Sequence, residues 1–587
     1  MRRHQHEKQA AGLTIATDLR SGLTRGDDVV DVATWAGSVP AATGVAPRVR
    51  FGSRWFNLLW LLPLGFVLLL VAVAVAKGLR HMPVMAEFIA RYPGTATTDL
   101  PDTVGIPGWA RWQHFLNLLL MIFILRSGLQ ILSDHPRLYW TRHCTPGRDW
   151  FRVQKPVPPD PLWTAKQDSI SLPRQVGLPG LRHSIGLARW WHLGIDVLWL
   201  LNGLAFYVLL FATGHWHRLV PTSAEVFPNA GSVLIQYLSL DWPHDNGWVA
   251  YNGLQLIAYF ITVFIAAPLA LLTGLGMSPA LSARITPISS VLNIQFARSL
   301  HFLVWVWFVG FITVHVALVA TTGVLANLNH ITTGRDNSTW LGFWLFAAWM
   351  GVVVVGWVAA TPLTLRQPRL IQRVGAALLG PTQRLFEHLD PKPGQYTADD
   401  ISPYLWHNGR YPASAEYDHL TEGGFADYAL RITGLVSHPV DLSLEQLRRL
   451  PGHEQITQHY CIQGWSGVAK WGGVSMQTIL DLVKPSSDAR WVVFYSFGEG
   501  ADGGTYYDAH SIEHMRHHLT MLAYDMNDEP LSFGHGAPLR LRNEIELGFK
   551  MVKWIKGIEF VADFHDIGSG YGGYNQDHEF FGYRQAL

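Results

Sequence analysis

The residue of greatest chemical interest is Cys461, which lies in the stretch QHYCIQGWSGVAKWGG, residues 458–473. The only other cysteine, Cys144, is far away in the sequence, so a disulfide framework is not indicated. The sequence has no Cys-x-x-Cys spacing, which would indicate zinc, and no clear Cys-His-Asn signature, which would indicate a protease. Two interpretations remain open: a small buried apolar residue, or a functional thiol.

Histidines inside long apolar segments form a second set of candidates. His301 and His315 lie in RSLHFLVWVWFVGFITVHVALVATTG, about four helical turns apart, so both rings leave one helix face roughly 21 Å apart along the axis. His114 opens RWQHFLNLLLMIFILRSG, and His192 opens RWWHLGIDVLWLLNGLAFYVLLFATG. An imidazole in hydrocarbon needs a partner. Pairs of such rings are typical of metalloporphyrins whose two axial ligands are histidines, an arrangement that favours electron transfer.

The elements that would position these histidines are membrane-spanning helices. Apolar residues make up 49% of the chain and charged residues 15%, which is typical of a membrane protein. Because consecutive spans alternate in direction, His192 and His301 are expected at one depth in the bilayer, and His114 and His315 at another. These are therefore the two expected pairs. Six segments are long and apolar enough to cross a bilayer, at roughly 56–76, 113–133, 191–213, 248–274, 299–325 and 340–360.

The segment from Arg111 to Gly323 resembles the prokaryotic di-haem cytochrome b family, the membrane subunits of hydrogenases and formate dehydrogenases. The Arg-x-x-His helix openings and the helix with two histidines carry this resemblance. It implies two b haems as cofactors. His215 and His217, in TGHWHRLV at the far end of the third span, remain rivals of His114 as a haem ligand.

The distribution of Lys and Arg predicts the orientation in the membrane. The terminal stretches and the loops on their side carry 22 of these residues, and the opposite loops carry 6. Both termini are therefore expected in the cytoplasm, in a multi-pass protein of the cell inner membrane. Residues 1–50 are polar and aperiodic, which predicts a disordered tail, and no export signal is recognised there.

Beyond a linker at 366–394, residues 395–587 are typical of a soluble domain with mixed strands and helices. YALRITGLV, QITQHYCI, RWVVFYSF and IKGIEFVADF are predicted strands, and SLEQLRRL and SMQTILDLV are predicted helices. The expected fold is thus an all-α membrane bundle of six spans, residues 51–365, followed by a soluble α+β domain.

A second cationic stretch accompanies Cys461 in this domain. HGAPLRLRNEIELGFKMVKWIKGIEF, residues 535–560, places Arg540 and Lys553 among glycines and bulky apolar residues. Such residues suit the binding of a phosphorylated ligand, because Arg offers a bidentate fork.

Together the two stretches resemble the molybdopterin domain of the sulfite oxidase superfamily, closest to its bacterial sulfoxide-reductase-like branch, over about residues 395–565. The resemblance implies that Cys461 is the protein's thiolate ligand to molybdenum. It implies pterin contacts at Asn408, Tyr411, His535, Arg540, Met551, Val552 and Lys553.

The expected function is a membrane-bound molybdenum-dependent oxidoreductase that acts on a small oxo-acid or sulfoxide-like substrate. The two haems would connect molybdenum to a quinone or quinol. The alternative is a haem electron-transfer protein whose soluble domain docks another redox partner. Expected partners are the quinone, the small-molecule substrate and the lipid bilayer, without nucleic acid, and the sequence leaves homo-oligomerisation open. The C-terminal GYGGYNQDHEFFGYRQAL is either a surface arm or a flap over the site or the membrane domain.

Overall fold

The predicted membrane bundle is confirmed by the structure, a computed structural model that describes residues 19–24, 46–95, 105–153, 155–160, 162–180, 185–242, 247–284, 292–387, 396–500 and 502–583. Each span satisfies its backbone groups within its own helix, as lipid requires. The six spans, called span 1 to span 6, are Leu58–Arg80, Gly108–Asp134, Ile185–Ala212, Gly253–Gly276, Ile294–Thr321 and Trp340–Arg366. The chain is a multi-pass membrane protein.

Shorter elements connect the spans and cover the ends of the bundle. The helices are Pro83–Arg91, Ala165–Asp168, Val226–Leu238, Pro279–Arg284, Val324–Thr332 and Pro368–Glu387, with a short 3-10 helix at His215–Arg218. Four short strands, β1 (Arg48–Phe51), β2 (Arg54–Asn57), β3 (Arg137–Leu138) and β4 (Phe151–Arg152), form one sheet in the order β2-β1-β4-β3. Much of the predicted linker at 366–394 is thus helical.

The soluble domain contains two five-stranded sheets. One has the order β10-β9-β14-β5-β6, with β14 and β5 parallel; the other has the order β12-β11-β8-β7, with β13 paired to β11. The strands are β5 (Ala429–Gly434), β6 (Val440–Ser443), β7 (Gly452–Tyr460), β8 (Ser466–Ser475), β9 (Trp491–Glu499), β10 (Thr505–Ser511), β11 (Thr520–Met526), β12 (Glu529–Pro530), β13 (Arg540–Asn543) and β14 (Ile555–Val561). Helices are Ala415–Glu422, Leu444–Arg449, Met476–Val483, Ile512–Met515 and Tyr574–His578, with 3-10 helices at Ala398–Asp400, Phe533–His535 and Gly548–Lys550.

Apolar, β-branched and aromatic residues account for the sheets of this domain, and β9 and β14 are buried along nearly their whole length. The four predicted strands correspond to β5, β7, β9 and β14, and the two predicted helices form at Leu444–Arg449 and Met476–Val483. Leu430, Phe494, Leu522 and Ile558, from strands of both sheets, are fully buried in one core. The predicted α+β class of the domain is therefore confirmed.

The basic loop, residues 135–180 between spans 2 and 3, joins the two domains. Arg137 is fully buried there and binds the carboxylate of Asp168 at 2.7 and 2.8 Å, and Asp149 at 3.3 Å. From span 5, Arg298 donates to the Arg137 carbonyl at 2.7 Å. On the other side of the loop, Trp406 of the soluble domain donates to the Cys144 carbonyl. The soluble domain therefore lies against the end of the bundle where span 2 ends and spans 3 and 5 begin.

Part of the predicted disordered tail is ordered in the structure. Leu19 is 3% exposed and packs against the soluble domain, where a Cβ at Gly557 would collide with it. Arg20 binds the Glu559 carboxylate at 2.7 and 3.0 Å. The prediction of disorder is therefore wrong for residues 19–24, because contacts with a distant strand order this segment, and for residues 48–50, which belong to β1. Residues 1–18 and 25–45 lie outside the described residues.

Candidate functional site

Two pairs of histidines face each other inside the bundle. His114 on span 2 and His315 on span 5 have ring centroids 6.3 Å apart and ring planes at 52°. His192 on span 3 and His301 on span 5 have centroids 6.4 Å apart and planes at 80°. The structure therefore brings together the same pairs that depth in the bilayer predicts.

These separations fit one iron atom between each pair of rings. A histidine nitrogen lies about 2 Å from a metal that it binds, and the ring centre lies about 1 Å farther away, so two rings on opposite sides of one metal have centroids about 6 Å apart. Both observed values agree with this distance. Each of the two pairs of imidazoles could therefore hold a haem iron.

Two hydroxyl groups fix the orientation of the histidines nearer the soluble domain. Thr273 Oγ1 donates to the Leu269 carbonyl at 2.6 Å, so it can accept a hydrogen bond from His301 Nδ1 at 2.9 Å. Ser127 Oγ donates to the Phe123 carbonyl at 2.7 Å and lies 3.0 Å from His192 Nδ1. With Nδ1 as the donor, Nε2 keeps its lone pair for a metal, which is the usual arrangement of metal-binding histidines.

Glycines leave space beside the same two rings. A Cβ at Gly128 of span 2 would lie 3.2 Å from His192 Cε1, and one at Gly274 of span 4 would lie 4.0 Å from His301 Cε1. A flat macrocycle between the rings needs such space, since a larger side chain would project into it. The small residues and the paired rings together fit a haem.

The rivals of His114 lie in a different environment. His215 Nδ1 binds the Thr213 hydroxyl at 2.9 Å, and the His217 ring stacks on Trp216 with centroids 3.6 Å apart. Within the part of the chain that the structure describes, His114 is the histidine whose ring contacts that of His315. The geometry therefore favours His114.

Cys461 lies in the turn between β7 and β8. Its N–H donates to the Trp465 carbonyl at 3.0 Å, and its carbonyl accepts from the Gly464 N–H at 2.9 Å. Gly464 has φ +99°, a conformation that favours glycine, and a Cβ there would lie 3.1 Å from Arg298 Nε of span 5. The turn therefore fits closely against the membrane domain.

The surroundings of the Cys461 thiol hold it in the protonated form when no metal is bound. Burial raises the pKa of the Cys461 thiol to about 12, and the Asp134 carboxylate acts in the same direction. A hydrogen bond with the Gln463 backbone and the charges of Lys166 and Lys553 oppose this rise in pKa. A metal that binds the sulfur would therefore displace a proton.

Donors predicted to bind a pterin converge beside this turn. Lys553 Nζ donates to the Asn408 carbonyl and, at 2.9 Å, to the Gly534 carbonyl. Arg540 Nη1 donates to the His535 carbonyl at 2.9 Å. Asn408 Nδ2 donates to Gln463 Oε1 at 3.0 Å, two residues after Cys461. The structure thus brings four of the seven predicted pterin contacts near the cysteine turn.

This cluster has the character of a site for an anionic ligand. Arg540 Nε, Asn408 Oδ1 and Trp471 Nε1 are buried and have no hydrogen-bond partner among the described residues. Burial lowers the pKa of Arg540 and of Lys553 well below the usual values, and the neighbouring arginines lower them further. Buried cations and unpaired polar atoms are costly unless a ligand pairs with them. The residues therefore fit a phosphorylated pterin.

The remaining three predicted contacts differ in position. Tyr411 OH forms a 2.6 Å hydrogen bond with His407 Nε2, close to His535. Met551 and Val552 are 4% and 1% exposed, and the Val552 carbonyl accepts from the Leu541 N–H in the core. The structure places Tyr411 at the edge of the cluster, and it places Met551 and Val552 as core side chains.

Two neighbouring residues belong to the cluster although sequence reasoning did not single them out. Gln463 Oε1 accepts from both Asn408 and Trp465 Nε1, the latter at 3.1 Å, and Gln463 Nε2 donates to the Asp134 carbonyl at 3.4 Å. The His407 ring lies 5.6 Å from that of His535. Gln463 lies two residues after Cys461, and His407 directly precedes Asn408. This proximity in the sequence is the signal that could have identified them as site residues.

Two family comparisons agree with these two sites. Residues 105–334 match the sequence model of the prokaryotic cytochrome b561 family, and residues 419–566 match that of the oxidoreductase molybdopterin binding domain. The chain is a fusion of these two domains. It therefore contains a cytochrome b561-type domain in the membrane, followed by a domain of the molybdopterin-binding oxidoreductase type.

Curated relatives match one region of the chain at a time. A protein-methionine-sulfoxide reductase subunit, YedZ1, of Azospira oryzae is 34% identical over 28% of this chain and 60% of its own length. The methionine-sulfoxide reductase catalytic subunits MsrP of Gluconobacter oxydans and Campylobacter jejuni are 35% and 28% identical, over 23% of this chain and 47% and 50% of their own lengths. The chain thus spans about half the length of these relatives. The crystal structure of the sulfane dehydrogenase SoxCD from Paracoccus pantotrophus covers 25% of the chain at 23% identity, with a TM-score of 0.22, a likeness too weak to support an argument.

Proposed function

We propose that this fusion exchanges oxygen atoms with a small oxo-acid or sulfoxide-like substrate and exchanges electrons with the quinone pool through two b haems. When bound, the molybdenum cofactor supplies the exchange of one oxygen atom and two electrons with the substrate. Cys461 would be its thiolate ligand, and Asn408, Arg540 and Lys553 would bind the pterin and its phosphate. The two histidine pairs would hold the haems.

The observation that carries this proposal is the contact between the cysteine turn and span 5. Gln295 Nε2 donates to the Gly464 carbonyl and to Ser466 Oγ, each at 3.0 Å. Gln295 and His301 lie on the same helix, separated by about 9 Å of helical rise. One rigid element therefore connects the turn that carries Cys461 to the His192/His301 pair. This supports electron transfer within the chain, and it disfavours the alternative in which a separate redox partner docks on this face.

The direction of the reaction is proposed from the relatives. Three of them are named as methionine-sulfoxide reductases or a subunit of one, which supports reduction of a sulfoxide-type substrate. Each turnover would take two electrons from a quinol, consume two protons and release one water. To the proposed reaction site, this chain itself contributes the buried cations of the cluster and the thiol of Cys461.

The proposed location of the soluble domain is the cytoplasm. The excess of Lys and Arg on the side of the basic loop supports this orientation. The ion pair between Arg20 and Glu559 supports a location of Arg20 and the soluble domain on the same side of the membrane, as an even number of spans requires.

A panel of assays on the purified protein tests the proposal. We expect one molybdenum and two haems per chain, and quinol-dependent reduction of at least one sulfoxide or N-oxide. Quinone-dependent oxidation of sulfite measures the opposite direction. Haem without molybdenum, in a preparation supplied with the cofactor, would favour the electron-transfer alternative.

A further inference from the structure

The membrane domain contributes part of the wall around Cys461. The thiol packs between two apolar clusters. One contains Ala165 of the basic loop beside Trp465, and the other contains Ile185 of span 3 and Ile294 of span 5. A free-standing molybdopterin domain has none of the three membrane-domain residues. The membrane domain therefore covers surface next to the thiol that a separate catalytic subunit would expose.

The C-terminal segment, residues 568–583, closes another side. Phe581 is 2% exposed, packs edge-to-face against Phe549 with ring centroids 4.8 Å apart, and belongs to the cluster that contacts Cys461. A Cβ at Gly186 of span 3 would lie 2.5 Å from the Phe581 ring, so segment and span are in close contact. Of the two alternatives for this segment, the structure favours a flap between the molybdenum site and the membrane domain.

Hydrogen bonds hold the C-terminal segment in place at several points. Trp190 Nε1 of span 3 donates to the Phe580 carbonyl at 2.8 Å, and Gln372 Nε2 donates to the Phe581 carbonyl at 2.8 Å. Arg369 donates to the carbonyls of Gln576 and Asp577, each at 2.8 Å. These bonds attach residues 576–581 of the segment to span 3 and to the helix Pro368–Glu387.

One ion pair joins the basic loop to the C-terminal segment at a solvent-facing edge, which we call the rim. Lys166 of the basic loop lies 3.4 Å from Glu579 of the C-terminal segment, and the two side chains are 28% and 11% exposed. Lys166 directly follows Ala165, which belongs to the apolar cluster that contacts Cys461. The rim is thus near the thiol, polar and partly open to solvent.

We infer that the molybdenum site of this chain admits small solutes and excludes oxidised side chains that are held in a folded protein. This inference rests on the proposed function and limits its substrate class. The three relatives are named for protein methionine sulfoxide. A methionine sulfoxide on a protein surface cannot approach a metal on Cys461 unless the C-terminal segment and the basic loop separate. Free methionine sulfoxide and smaller oxo-compounds need no such opening.

Thiol labelling tests the wall independently of catalysis. In cofactor-free full-length Cys144→Ser protein, Cys461 should react with a small methanethiosulfonate at least roughly tenfold faster than with a maleimide on a polymer chain of several kilodaltons, after correction for reagent reactivity. Glu422→Cys, in a Cys144→Ser/Cys461→Ser background, supplies that correction because position 422 is exposed. Equal corrected rates at Cys461 would show that the wall is open and would overturn the inference.

Substrate competition tests the same inference in the loaded enzyme. We expect kcat/KM for free methionine sulfoxide to exceed that for the same group in an oxidised folded protein by roughly a hundredfold. Comparable values for both would overturn the inference. Loss of activity on every oxo-substrate, with size-selective labelling intact, would instead refute the proposed function and leave the wall established.

Discussion

The hydroxyl of Thr273 offers a sharp test of the haem site nearer the soluble domain. Thr273 is fully buried, and its Oγ1 accepts from His301 Nδ1 at 2.9 Å while it donates to the Leu269 carbonyl. Thr273→Val keeps the shape of the side chain but removes the acceptor. The His301 N–H is then left without its partner in a buried site, and the ring loses the bond that fixes its orientation.

The expected size of the effect follows from these contacts. An unsatisfied buried donor costs about 1–3 kcal/mol. Loss of a partner that orients a metal-binding histidine typically lowers metal affinity about 10–100-fold, which corresponds to roughly 1.4–2.8 kcal/mol. The two estimates agree, so Thr273→Val should weaken haem binding at the His192/His301 pair by one to two orders of magnitude.

Haem transfer to an excess of apomyoglobin measures this effect directly. The assay is best done in a His315→Ala background. This variant removes a ligand of the other proposed haem, so the haem released comes from the His192/His301 site. Thr321→Val is the matched control, since Thr321 is also a threonine bonded to its own helix, at 2.9 Å to the Ala317 carbonyl. A Thr273→Val variant that releases haem no faster than the Thr321→Val control would refute the proposed role of His301.

Three further predictions concern the soluble domain. Cys461→Ser should abolish molybdenum-dependent turnover and leave the haem spectrum unchanged, because a hydroxyl replaces a soft thiolate poorly; full activity in this variant would end the assignment. Burial, followed by the charges of Lys550 and His514, lowers the pKa of His510 well below 6.5, so the folded state binds fewer protons than the unfolded state. Stability is then retained above pH 6.5 and lost as the pH falls below it, and melting should occur at a lower temperature at pH 5.5 than at pH 7.5, whereas a pH-independent Tm would contradict this. A fluorescent reporter fused after Leu587 should fluoresce in the cytoplasm, and alkaline phosphatase activity at that point would reverse the orientation.

Local patterns in the sequence account for much of the fold. Apolar runs of span length predicted six membrane helices, because length and hydropathy decide whether a helix crosses lipid. The 14-residue spacing of His301 and His315 placed both rings on one helix face, and alternation of span direction supplied their partners. Strands β5, β7, β9 and β14 follow from short apolar runs that are bounded by turn residues, a signal that is local in the chain.

Local sequence patterns do not predict the contacts between distant parts of the chain. Ala165 reaches the cluster around Cys461, and Leu19 fills a gap beside Gly557, although nothing in either local pattern indicates such a partner. The resemblance implies pterin contacts at Met551 and Val552, and the structure places both side chains in the core. Periodicity reports which face of an element is apolar, and it does not report what that face packs against.

The central claim, that electrons move between the haems and the molybdenum site within one chain, is tested most directly by the re-oxidation of quinol-reduced haem after addition of an oxo-substrate. The account predicts that the rate of this step does not change when the protein is diluted tenfold at constant substrate, since the turn with Cys461 is bonded to the helix that carries His301. A rate that falls in proportion to protein concentration, or haem that stays reduced in the presence of every oxo-substrate, would contradict the account.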